Sequence, residues 1–304
     1  MYTNIYQLNF SLPINEVKSI RTSFAYRTDR TITIADGNQQ SLLGGVATLT
    51  NPDVLQQYLL SHIEYVNDNT LNPTQNIWNG LRYKIYYDVN TPIGVSQGIE
   101  KSTYNFGYDV RYYKSIYRNF IWAARGAADF SWGKEKIVYY LGGVDGWTSF
   151  FGFGGPQFNP NQPKDPNYAF QSLAVNMRGY IQNIANGNNA VVFNSEFRLP
   201  VFSTFIDKPI NNAFIRNFQV VQFFDLGTAW NGLYNGITRP TQTYTQGPVA
   251  VKIDAGGIGP FAAGYGFGVR SNLLGYFMKL DTAWPMKGFF LGKPIWYFSL
   301  GFDF

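Results

Sequence analysis

Cysteine is absent from this chain, which rules out disulfides, thiolate metal sites and thiol nucleophiles. Histidine occurs once, at His62, so no histidine pair can hold a metal. A Ser-His-Asp triad would depend on that single ring, and no nucleophile motif accompanies it. Charge is scarce as well: 14% of residues are Asp, Glu, Lys or Arg, against roughly 25% in an ordinary soluble domain. The 24 Lys and Arg exceed the 19 Asp and Glu by five, and no basic run marks a nucleic-acid partner. Nor does any uninterrupted apolar stretch approach the roughly 20 residues of a membrane helix, and mean hydropathy is −0.18. Helical membrane spanning is thereby excluded. The start of the chain, Met1-Tyr2-Thr3-Asn4-Ile5-Tyr6, has no basic stretch leading into an apolar one and does not read as a signal peptide.

Aromatic residues are abundant. They make up 18% of the chain, with 26 Phe, 22 Tyr and 7 Trp. Many recur at every second position. Leu81, Tyr83, Ile85, Tyr87 and Val89 oppose Arg82, Lys84, Tyr86 and Asp88, and Tyr104, Phe106, Tyr108, Val110 and Tyr112 oppose Asn105, Gly107, Asp109 and Arg111. Such alternation also fits a soluble sandwich, but these segments run to about ten residues, the span of a tilted membrane strand, where soluble strands average about five or six. A membrane barrel reconciles an apolar exterior with unremarkable mean hydropathy, because each strand alternates apolar outward and polar inward. The fold expected is all-β, an antiparallel transmembrane β-barrel. Eleven strands are expected near 2–12, 17–27, 57–67, 77–89, 102–113, 117–131, 191–200, 217–227, 264–271, 274–285 and 295–304, with ends defined to within a few residues. Short connections alternate with long polar ones at 28–56, 132–190 and 228–263.

Several constellations carry chemistry or mimic it. Gly264-Tyr265-Gly266-Phe267-Gly268 lacks the spacing and the following helix of a phosphate loop; alternation instead puts its glycines on the inner wall beside Arg270, where they leave room for an inserted segment. Asp109, Arg111, Lys279 and Asp281 read as a charged inner lining, and no catalytic carboxylate pair can be picked out. No cofactor and no enzymatic activity are expected. The last strand places Trp296, Phe298, Leu300, Phe302 and Phe304 on one face and Tyr297, Ser299, Gly301 and Asp303 on the other, ending the chain in Phe.

Met177-Arg178-Gly179-Tyr180 is the sharpest motif. It follows Tyr139-Tyr140-Leu141-Gly142-Gly143, with a Gly- and Pro-rich stretch, 152–166, between them. It precedes Asn194-Ser195-Glu196-Phe197-Arg198-Leu199-Pro200, Phe223-Phe224-Asp225-Leu226-Gly227-Thr228-Ala229-Trp230, Gly264 to Arg270, and Lys279-Leu280-Asp281-Thr282-Ala283-Trp284-Pro285. Motif, double glycine and strands stand in the order seen in the BamA/TamA superfamily, also called the bacterial surface antigen family, which the chain resembles over about 139–304. The motif there is V-R-G-[FY], at the tip of a long loop folded into the lumen. Met for its first aliphatic residue is a mild departure, whereas the insertion after the double glycine is a larger one.

The resemblance implies that residues 1–304 form one barrel region in the outer membrane of a Gram-negative bacterium, or the C-terminal part of a longer chain holding about eleven of roughly sixteen strands. It implies that 132–190 is the lumenal loop, that Gly142 and Gly143 precede it, that 296–304 is the C-terminal signal strand, and that the motif arginine engages acidic wall residues. An arginine shielded from water requires carboxylate partners, and inward parity makes Glu196 and Asp225 the candidates. The function implied is assistance to insertion or translocation of proteins, with membrane lipid and periplasmic proteins as partners. The alternative is a passive pore, or a membrane anchor for a missing N-terminal domain.

Overall fold

On the strand Thr103–Tyr117 the side chains shielded from solvent are Thr103, Asn105, Asp109 and Tyr113, while Phe106, Tyr108, Val110 and Tyr112 stand exposed. A strand folded against a soluble core shows the reverse, with its apolar row buried. The same inversion holds on Asn189–Pro200, where Asn194, Glu196 and Arg198 are buried and Phe193 and Phe197 exposed. The polar rows face the interior, and the aromatic rows face out.

The computed structural model describes residues 2–32, 54–71, 79–95, 102–149, 155, 157–233, 239–246, 248–273, 275–287 and 292–301. Six consecutive strands open the chain: β1 (Tyr2–Pro13), β2 (Lys18–Thr31), β3 (Val54–Asp68), β4 (Gly80–Val95), β5 (Thr103–Tyr117) and β6 (Phe120–Gly133). A long excursion holds β7 (Lys136–Leu141), β8 (Trp147–Thr148), β9 (Tyr168–Leu173) and β10 (Ala185–Gly187). Then come β11 (Asn189–Pro200), the short helices α1 (Val201–Phe205) and α2 (Ala213–Arg216), and β12 (Gln219–Trp230). The hairpin β13 (Thr241–Gln246) and β14 (Val249–Asp254) leads through β15 (Gly257–Ile258) to β16 (Phe261–Leu273), β17 (Tyr276–Pro285) and β18 (Ile295–Leu300).

Ten antiparallel strands of 10–16 residues and the six-residue β18 form one wall in the order β1-β2-β3-β4-β5-β6-β11-β12-β16-β17-β18, matching the eleven segments expected from alternation apart from their ends. Among the described residues no pairing joins β1 to β18, and the far edge of β18 carries the two-residue strand β8. Local chemistry sets the turns. Between β1 and β2 the Asn15 side chain accepts the amides of Val17 and Lys18 at 3.0 and 2.8 Å, closing the turn without a further strand residue. Within the long excursion, β10, β7 and β9 form a separate three-stranded sheet.

Register follows from the side-chain period of two, and it stacks three inward rows across the C-terminal wall. Asn194, Asp225 and Gly264 lie side by side; next come Glu196, Phe223, Gly266 and Ala283; then Arg198, Val221, Gly268, Asp281 and Tyr297. These rows receive the loop.

Candidate functional site

Arg178 is carried by the segment between β9 and β10 and is 4% exposed. Its Nε donates to Asp225 Oδ2 and its Nη2 to Asp225 Oδ1, both at 2.8 Å, a side-on fork that a lysine cannot reproduce. Its backbone amide adds a third bond to Asp225 Oδ2 at 2.9 Å. Nη1 reaches Glu196 Oε1 at 2.6 Å and lies 3.6 Å from Asp281 Oδ2. The guanidinium sits over the Phe223 ring, Cζ to centroid 3.6 Å.

The carboxylates have partners of their own. Glu196 pairs with Arg198 at 2.8 Å, Asp281 with Arg270 at 2.5 Å, and Asp225 accepts from Asn194 at 2.8 Å. Three guanidinium groups thus meet three carboxylates in a region almost free of solvent. Burial by itself disfavours the Arg178 charge, but Asp225, Glu196 and Asp281 together raise its pKa well above the ordinary guanidinium value, so the cation is held.

Glycine clears the space for this arrangement. A Cβ at position 264 would lie 1.9 Å from the Arg178 carbonyl oxygen, one at 266 would lie 2.7 Å from the Phe223 ring, and one at 268 would lie 1.8 Å from the Asp281 carboxylate. Of the three, Gly264 admits the loop itself, Gly266 the Thr282 carbonyl of β17, 2.0 Å from such a Cβ, with the Phe223 ring, and Gly268 the Asp281 and Arg270 side chains. At the tip, Gly179 has φ +94°, and a Cβ there would approach the Trp284 carbonyl at 2.8 Å, so both conformation and space call for glycine.

The rest of the motif is anchored by burial. Met177 is fully buried among Leu141, Val175, Ile184 and Val192. The Tyr180 hydroxyl donates toward the carbonyls of Gly256 at 2.5 Å and Ala263 at 3.0 Å. Gly143 pairs with Met177 in a single antiparallel bridge: the Met177 amide donates to Gly143 O at 2.9 Å and the Gly143 amide to Tyr180 O at 3.1 Å. The double glycine thus still abuts the motif, and the described part of the inserted stretch packs beside them: Phe158 bridges Gln182, and its ring centroid lies 5.4 Å from that of Tyr140.

The expected residues are distributed as follows. Arg178, Glu196 and Asp225 come together, with Met177, Gly179, Tyr180, Gly142 and Gly143 around them. On β18, Trp296 and Leu300 are exposed while Phe298 is buried, and Phe302 and Phe304 lie outside the described residues. Asp109, read with Arg111, Lys279 and Asp281 as a charged inner lining, is buried on the inward row of β5 and holds Arg111 and Arg125 at 2.8 and 2.7 Å. His62, on β3, pairs with Asp88 of β4, which accepts from Asn105, itself the acceptor of the Tyr139 hydroxyl at 2.7 Å.

Sequence reasoning passed over Tyr297, whose ring is fully buried, and Phe223, on which Arg178 rests. An aromatic on the inward parity among Ser, Gly and Asp was the available signal for Tyr297. Beside the loop a cavity of about 760 Å³ remains, lined by Arg111, Arg125, Asn176 and Lys279 among others.

No protein-family model matches the chain, and no curated protein sequence matches it. Among solved structures, BamA from Haemophilus ducreyi lacking POTRA domains 1-3 is similar over 98% of this chain, with a TM-score of 0.54 and 13% identity. CdiB from Acinetobacter baumannii also aligns over 98% of the chain and 49% of its own length, at 13% identity and a TM-score of 0.36, too low to argue from. The chain spans about half, 54%, of the BamA structure it matches. At that identity fold is what the two have in common, and the all-antiparallel wall of this chain has the fold of a BamA-type β-barrel.

Proposed function

We propose that this chain is a barrel of a Gram-negative outer membrane that assists the insertion or translocation of other proteins. In this reading its aromatic face meets membrane lipid and its client proteins arrive from the periplasm. The observation that carries the reading is the buried fork between Arg178 and Asp225, which anchors a loop inside a wall of BamA-type fold. Residues 132–190 serve as the lumenal loop, Met177 to Tyr180 as its tip, and Gly142 and Gly143 as its root. Trp296, Phe298 and Leu300, followed in sequence by Phe302 and Phe304, form the terminal signal strand. The physical basis is strand templating, since a strand edge offers unpaired amides and carbonyls to an incoming strand. No bond-making step is assigned.

Reconstitution tests the reading. The protein in phospholipid vesicles should speed the folding of an unfolded outer-membrane barrel client, followed by its heat-modifiable migration, and Arg178→Ala should remove most of the gain. A passive pore is the second reading, favoured by the polar cavity beside the loop. Steady ion conductance with no effect on client folding would decide for it.

A further inference from the structure

The edge of β18 that faces away from β17 is partly covered by the chain itself. Thr148 pairs with Phe298 and Trp147 with Ser299, antiparallel. Trp147 is buried and its ring centroid lies 4.8 Å from that of Tyr297. The turn before it lies against the same strand: Gly146 has φ +66°, and a Cβ there would come within 2.9 Å of the Leu300 carbonyl oxygen. Tyr297 in turn reaches the motif. Its hydroxyl donates to the Tyr180 carbonyl at 2.6 Å and accepts the Gly179 amide at 3.0 Å. Asn176 accepts the Asp145 amide at 2.7 Å, and the bridge between Gly143 and Met177 ties the two loop segments together.

We infer that the segment 143–148 is a built-in cover on the edge of the terminal strand, and that Tyr297 is the positioning residue coupling this cover to the Arg178 anchor. Two residue pairs make a weak ladder, of the kind that opens well before a fold does, so the cover is displaceable. Its hold on β18 depends on the tip, because the hydroxyl of Tyr297, whose ring carries Trp147, is committed to Gly179 and Tyr180. Freeing the edge for another strand therefore requires that Tyr297 release the tip or that the tip move with it. The inference rests on the proposed function for its purpose, but its geometry stands without a client.

The absence of cysteine makes the test direct. Cross-strand partners have Cα atoms about 4.5–5.5 Å apart, within disulfide range, so Thr148→Cys with Phe298→Cys should crosslink under mild oxidation in the vesicle-embedded protein. Adding Tyr297→Phe keeps the ring against Trp147 and deletes only the hydroxyl. It should slow crosslinking in the double variant, and raise maleimide labelling of the thiol in the Thr148→Cys single variant, by about five-fold, the scale of lost buried hydrogen bonds. Adding Arg178→Ala should do the same from the other side of the coupling. Heat-modifiable migration identifies variants that have failed to fold; those are replaced by Trp147→Leu, which weakens the ring contact and should shift labelling in the same direction. Crosslinking of the Thr148→Cys, Phe298→Cys variant at a rate unchanged by Tyr297→Phe and Arg178→Ala overturns the coupling, and no crosslink in that variant overturns the cover. Both are read without any client, so a protein that crosslinks as expected yet fails to speed client folding would count against the proposed function alone.

Discussion

The Arg178 guanidinium and the Asp225 carboxylate meet in a side-on fork whose two bonds are each 2.8 Å, with a third bond from the Arg178 amide to the same carboxylate. Side chain and backbone of one residue thus converge on one acceptor, so the loop tip is fixed in position and in orientation. A buried ion pair adds little net stability over well-packed apolar residues, but removing one partner is costly because the other stays buried and uncompensated.

Arg178→Ala is therefore expected to weaken docking of the loop by about 3–5 kcal/mol, against roughly 0–1 for a surface pair, while the strands stay assembled. Limited proteolysis between residues 142 and 188 should quicken in detergent without loss of strand content. Arg178→Lys should recover only part, since it restores charge without the fork. An Arg178→Ala protein with unchanged proteolysis would refute the anchor.

Gly264→Ala should displace the tip from the other side. Its methyl group would lie 1.9 Å from the Arg178 carbonyl oxygen, and overpacking of this kind typically costs about 1–3 kcal/mol. Gly126→Ala is the control, because a Cβ at 126 meets nothing within 4 Å. Thermal unfolding in detergent should separate the two variants, and equal midpoints would show that the loop does not sit against β16.

The outward rows give a membrane prediction. Phe106 and Tyr108 are exposed on β5 while Asn105 and Asp109 of the same strand are buried. Phe106→Arg should cost about 2–4 kcal/mol if its position is near the bilayer midplane. Partition into outer membranes and β-rich folding in detergent are expected of the parent; a well-folded monomer in water without detergent would sink the membrane reading.

The loop also contains a pH-sensitive contact. Hydrogen bonding from Lys136, then the Asn167 amide, holds the Asp165 carboxyl below its ordinary pKa. A depressed carboxyl contributes stability above its unfolded pKa of about 4, and the contribution is lost as pH falls through the folded value. Protection of the Lys136 and Asn167 amides, relative to their intrinsic exchange at each pH, should therefore fall on acidification below about pH 4, and Asp165→Asn should abolish that dependence. The pair is partly exposed and joins only β7 to the segment before β9, so the effect should be local.

Period-two alternation by itself determined the all-β class and the places of the eleven wall strands, because side chains on a strand point to opposite faces whatever surrounds them. It also placed Glu196 and Asp225 on the polar rows of their strands; their partnership with Arg178 was implied by the resemblance of the Met177–Tyr180 motif, not by the period. Alternation could not say which row faces out, since a soluble sandwich carries the same period. Only the tertiary structure decided that, by burying Asn105, Asp109, Asn194 and Glu196 and exposing Phe106, Tyr108, Phe193 and Phe197. Register was equally beyond local reading: Asp281 joins Glu196 and Asp225 because β16 and β17 pair so that Gly268 faces Asp281. The contacts of Tyr297 with Gly179 and Tyr180, more than a hundred residues away in sequence, depend on where the loop folds back, and no local pattern encodes a distance of that kind.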